Sequence, residues 1–165
     1  MKKRGFLLAS QTVKIVIAVI CIVFLVFFLT QLYFSKVTEE KGRQAASTLL
    51  DSTNSISKWI DQIKAGETLK KNKFELKNPK GWYVFSFTGA EKKPNSCVNK
   101  NCLCICENVI DYFDRQIKYC DEDGACLIIP ELEDRDIEKE IFDGTKISYA
   151  YSGSILRLNF EDPKK

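Results

Sequence analysis

A chain of 165 residues with 25 Lys and Arg, 22 Asp and Glu and a net charge of +3 carries no cationic block for nucleic acid, because its acids are interleaved with its bases. It has no histidine, which excludes Ser-His and Cys-His catalytic pairs and His-bearing zinc sites. Carboxylates are many, but no pair is set apart for acid–base work. The chain is therefore read as a non-enzyme without a cofactor.

Residues 1–14 form a short basic leader containing Lys2, Lys3, Arg4 and Lys14. Residues 15–34 read IVIAVICIVFLVFFLTQLYF, an almost unbroken apolar run. At about 1.5 Å per residue, a helix of that length matches the roughly 30 Å hydrocarbon core of a bilayer. A cleaved secretory segment has a shorter apolar run, about 7–15 residues, followed by a small-x-small site. Here the exit is Tyr33-Phe34-Ser35-Lys36, so the run is read as a retained signal anchor. The positive leader places the N-terminus in the cytosol and the rest of the chain outside. The expectation is a single-pass protein of the cell membrane, with the lipid bilayer as its first partner.

Residues 35–66 are expected to form one amphipathic helix. Gly42, Ala46, Leu49, Thr53, Ile56, Ile60 and Ile63 step by three and four, a helical stripe, and Gly66 is its stop. Residues 67–165 form the outer domain. Glu67 to Lys80 has linker and turn chemistry. Trp82 to Phe87 reads as a strand buried on both faces. Gly89 to Asn101 reads as a polar loop. Cys102 to Cys106 alternates strictly and reads as a strand, and Val109 to Tyr119 fits a strand or a short helix. Cys120 to Cys126 reads as a hairpin turn, followed by a strand at Leu127–Ile129 that Pro130 stops. Glu131 to Glu140 reads as a solvated acidic stretch with room for a short helix. Lys146–Tyr151 and Ile155–Phe160 form a hairpin about Ser152-Gly153. The expected fold class is α+β: an N-terminal transmembrane helix running into an amphipathic one, then a small, mostly antiparallel, disulfide-stabilised β domain.

Of the seven cysteines, Cys21 lies in the apolar run as a small hydrophobe. The remaining Cys97, Cys102, Cys104, Cys106, Cys120 and Cys126 form the even set that a disulfide framework needs outside a reducing cytosol. On a strand, Cys102, Cys104 and Cys106 share one face at intervals of about 7 Å with parallel side chains. A disulfide wants Cα atoms about 4.4–6.8 Å apart, so the three should not bond one another. Each is expected to pair with one of Cys97, Cys120 and Cys126, in an order the sequence leaves open. The competing reading is a thiolate metal or redox centre. The Cys-x2-Cys spacing usual for zinc and for thioredoxin-like redox sites is absent, although Cys-x-Cys pairs do suit thiolate clusters.

Lys2-Lys3-Arg4, then Gly5-Phe6, then an apolar helix leading to an amphipathic one and a β-rich head, together resemble a type IV pilin or pseudopilin. The resemblance implies cleavage between Gly5 and Phe6 by a dedicated peptidase, and assembly into a homo-oligomer or filament through the N-terminal helix. The family usually carries Glu at the fifth position after the cut, where this chain has Ser10. The remainder, with KPNSCVNKNCLCIC and CDEDGAC, is similar to cysteine-rich single-pass membrane proteins of unknown function from uncultivated archaea, which implies the same architecture and no more. The leading expectation is a membrane-anchored domain working in adhesion, envelope structure or pilin-like assembly. A membrane-tethered thiol metal-binding or redox protein is the alternative.

Overall fold

One helix, α1, covers Lys3–Leu50. The computed structural model describes residues 3–51, 54–66, 73–89, 92–109, 113–152 and 154–162, with side chains from Thr12 onward except at Phe113. The chain divides into two units, Met1–Thr38 and Glu39–Lys165. In the first unit, Thr12 to Val37 are exposed on every face of the helix. Thr12–Leu50 is long and apolar enough to cross a membrane, and its most apolar stretch is not buried against protein. Thr30 Oγ1 donates to the Phe27 carbonyl at 2.7 Å, which satisfies that hydroxyl without water.

The last turns of α1 belong to the second unit, where Ala45 and Leu49 are buried. The stripe expected over 35–66 is divided between two helices. α1 ends at Leu50, and α2 runs from Ile56 to Lys64. The break has a local cause. Ser55 is the N-cap of α2, its hydroxyl accepting from Lys58 N at 3.3 Å, the position where serine is favoured over the helix interior. Restarting there turns Ile56, Trp59 and Ile60 inward. Thr53 lies outside the described residues.

Two antiparallel sheets build the domain. β1 (Lys73–Leu76), β6 (Thr145–Ser152) and β7 (Ile155–Glu161) pair in the order β1-β6-β7. β2 (Tyr83–Phe87), β3 (Cys102–Cys106), β4 (Ala125–Ile128) and β5 (Glu138–Glu140) pair in the order β4-β3-β2-β5. A helix, α3 (Phe113–Glu122), lies between β3 and β4 in the chain. The fold is α+β. The expected hairpin is β6–β7, with Ile147 opposite Phe160 and Tyr149 opposite Leu158; its Gly153 lies outside the described residues.

The main core gathers Leu49, Ile60, Trp82, Val84, Leu103 and Ile147 with further aliphatics. β2 and β3 are buried on both faces, which explains why their sequences are almost wholly apolar. Val84, Leu103 and Ile105 face the main core, while Phe85, Phe87 and the three β3 cysteines face a second cluster.

Three further expectations need correction. Part of the stretch read as a linker is β1, which pairs with β6 and seats Leu76 opposite Thr145; a four-residue strand owes its existence to its partner. The acidic stretch 131–140 is not simply solvated. Leu132 and Ile137 are buried in it, and Glu138–Glu140 forms β5 on the β2 edge. The segment 120–126 is not a hairpin turn: Cys120 sits in α3, and Gly124 leads directly into β4.

Candidate functional site

The second cluster is a layer of sulfur and aromatic rings on the outer face of the β4-β3-β2-β5 sheet. Period-two alternation puts Cys102, Cys104 and Cys106 on this face of β3, and all three are fully buried. Their partners come from three different elements. Cys97, in a 3-10 turn at Asn95–Cys97, bonds Cys102 with Cα atoms 5.7 Å apart. Cys126 on β4 bonds Cys104, its direct cross-strand neighbour, with Cα atoms 4.0 Å apart. Cys120 on α3 bonds Cys106 with Cα atoms 5.0 Å apart. Each strand cysteine is thus bonded outside its strand. Phe85 and Phe87 on β2 and Ile117 on α3 complete the layer.

Four of the sulfurs are close neighbours. Cys104 Sγ is 3.9 Å from both Cys97 Sγ and Cys102 Sγ. The Cys97, Cys104 and Cys126 sulfurs all lie within 4.8 Å of one another. Gln116, buried one helical turn before Cys120, lies beside the Cys106–Cys120 pair. Its Nε2 donates to the Glu107 carbonyl at 2.7 Å and lies 3.3 Å from Cys106 Sγ, while its Oε1 accepts from Val109 N at 2.8 Å. Only the i,i+4 spacing of Gln116 and Cys120 could have revealed this, and it becomes visible once 113–122 is taken as helical.

Asp121 fixes the loop that carries Cys97. Its carboxylate accepts from Asn95 N at 2.7 Å, from Ser96 N at 2.9 Å and from Ser96 Oγ at 2.7 Å. Burial pushes its pKa up, but the Ser96 and Asn95 hydrogen bonds outweigh that and hold it below the ordinary value of 3.8. A carboxylate depressed in the folded chain stabilises it above the unfolded pKa and loses that contribution as pH falls through the folded one. Asp121→Asn is therefore expected to cost about 1 kcal/mol at neutral pH, modest because the carboxylate is half-exposed. The gap from the native chain should close in acid below about pH 4. Denaturant unfolding at pH 7 and pH 3 checks this; an equal deficit at both would refute it.

Tyr83 lies at the rim. Its hydroxyl donates to Glu140 Oε2 at 3.1 Å, and that hydrogen bond, with burial and the Glu140 charge, holds the phenol protonated. Among the described residues, the free cysteine is Cys21, exposed on α1. Gly5, Phe6 and Ser10 stand in the first turns of α1, ahead of the side chains that are described. No protein-family model, curated protein or solved structure matches the chain.

The arrangement favours cross-linking. Each disulfide ties β3 to a separate element, and each stabilises a small domain by about 2–4 kcal/mol. The cross-links fix the outer face of a sheet whose other face holds the main core.

Proposed function

We propose that this is a single-pass membrane protein whose cysteine-rich domain faces the outside and serves a structural, adhesive or pilin-like assembly role. The observation that carries the reading is the pairing of two features in one chain. An apolar helix is exposed on all sides, and a separate small domain is cross-linked by three disulfides. The first needs lipid or like helices to cover it. The second belongs to an oxidising compartment. Lys2, Lys3 and Arg4 favour a cytosolic N-terminus. Assembly through α1, following cleavage between Gly5 and Phe6, is the more specific form of the proposal.

Protease shaving of intact cells, with mass measurement of the membrane-protected fragment, tests both levels. The domain after Phe34 should be removed without lysis. A domain protected until the cells are broken would reverse the orientation. A protected fragment starting at Phe6 supports assembly, whereas one starting at Met1 eliminates the pilin-like form and leaves a solitary anchored domain.

A further inference from the structure

We infer that Cys97, Cys102, Cys104 and Cys126, once their two disulfides are reduced, form a closed four-thiolate site for zinc. The inference goes beyond the anchored-domain reading and stands for either orientation of the anchor. Its basis is the spacing of the sulfurs. A tetrahedral zinc site with Zn–S bonds of about 2.3 Å has S···S edges of roughly 3.8 Å. The two contacts made across the disulfides by Cys104 Sγ, to Cys97 Sγ and to Cys102 Sγ, are both 3.9 Å. Cys126 Sγ, bonded to Cys104, lies within 4.8 Å of the Cys97 sulfur. Two edges of the tetrahedron are thus already set by the fold. The remaining edges require both bonded pairs to open and the Cys102 and Cys126 sulfurs to be brought together.

The surroundings suit a structural site rather than a catalytic one. Cys97, Cys102 and Cys104 are fully buried and Cys126 is half-buried, and four thiolates fill a tetrahedral shell, leaving no open coordination position for water or substrate. The ligands come from the 3-10 turn, β3 and β4, the same elements the disulfides join. Metal and disulfides therefore perform the same cross-linking in opposite redox conditions. The donor set is all thiolate, which favours zinc or another thiophilic cation over calcium or magnesium.

The chemistry balances. Each disulfide takes up two electrons and two protons to give two thiols, the electrons coming from a dithiol that is itself oxidised to a disulfide. Four thiol protons leave as the four sulfurs bind zinc. The Cys106–Cys120 pair joins β3 to α3 beside Gln116 and takes no part.

The test uses the full-length chain in detergent with Cys21→Ser, reduced with a phosphine and titrated with cobalt(II) and then zinc. One cobalt per chain is expected, with the strong visible bands of tetrahedral thiolate coordination, and zinc should displace it. Cys104→Ser should weaken zinc binding by roughly a hundredfold or more. Cys106→Ser with Cys120→Ser should leave it within about threefold. Absence of stoichiometric cobalt overturns the inference. So does equal weakening by Cys104→Ser and by the Cys106/Cys120 double variant, which is the behaviour of an unfolded, unselective thiol chain.

Discussion

Replacing Trp82 by alanine is expected to destabilise the outer domain by about 3–5 kcal/mol, the usual cost of emptying a large aromatic site in a core. Trp82 is the largest of the fully buried side chains and belongs to the main core cluster. It stands immediately before β2, where its carbonyl accepts from Ile141 N at 2.8 Å, so the ring is held at the junction of β2 and the chain beyond β5. Neighbours anchored in two sheets cannot collapse far into the space it leaves. Against a total stability of about 5–15 kcal/mol for an ordinary domain, the loss is a large fraction. Denaturant unfolding of the full-length chain in detergent, followed by the fluorescence of Trp59, measures it. A loss below about 1 kcal/mol would show that the indole is not packed as described.

What the sequence made legible follows the length and regularity of each signal. The apolar run over 15–34 is nearly continuous for twenty residues, and the strict alternation of Cys102 to Cys106 and the β6–β7 hairpin each repeat one period over several residues. The structure has α1, β3 and the hairpin at those places. The shared face of Cys102, Cys104 and Cys106 followed from pleat geometry alone, but the partner of each depends on where the Cys97 turn, α3 and β4 fall in space. β1 and β5 carry almost no local signal. Four and three residues long, they are specified by the strands they pair with, β6 and β2. The segment Cys120-Asp-Glu-Asp-Gly124 misled for a different reason. Asp and Gly mark tight hairpins and helix ends alike, and only Gln116 and Ile117 behind them, turned into the sulfur layer, decide for a helix. Gly42 begins the expected helical stripe although it has no side chain to pack. In the structure a β-carbon there would stand 2.6 Å from the Asp123 carbonyl oxygen, so the stripe is interrupted where α1 meets the α3–β4 turn.

The same turn yields a prediction whose sign is informative. Gly124 has no positive φ among the glycines that do, and at such a position alanine ordinarily stabilises by about 0.4–1 kcal/mol through the unfolded chain. Here the opposite is expected. A β-carbon on Gly124 would lie 2.7 Å from the Ile105 carbonyl oxygen and 2.7 Å from Cys106 Cβ. Neither neighbour is free to retreat. Ile105 is in β3, flanked by β2 and β4, and Cys106 is bonded to Cys120 four residues before the glycine. Gly124 N also donates to the Tyr119 carbonyl at 3.1 Å, which holds the turn against the end of α3. Relief must come from pushing the turn away from β3, which strains the Cys106–Cys120 bond on one side and the Cys104–Cys126 pair on the other. Gly124→Ala should therefore cost about 3 kcal/mol, the upper part of the range for overpacking, and should raise the fraction of chains that retain free thiols after oxidative refolding. Denaturant unfolding and thiol titration of the full-length protein read the two effects together. A variant as stable as the native chain, or more stable, would mean that the α3–β4 turn does not lie against β3 as the structure places it.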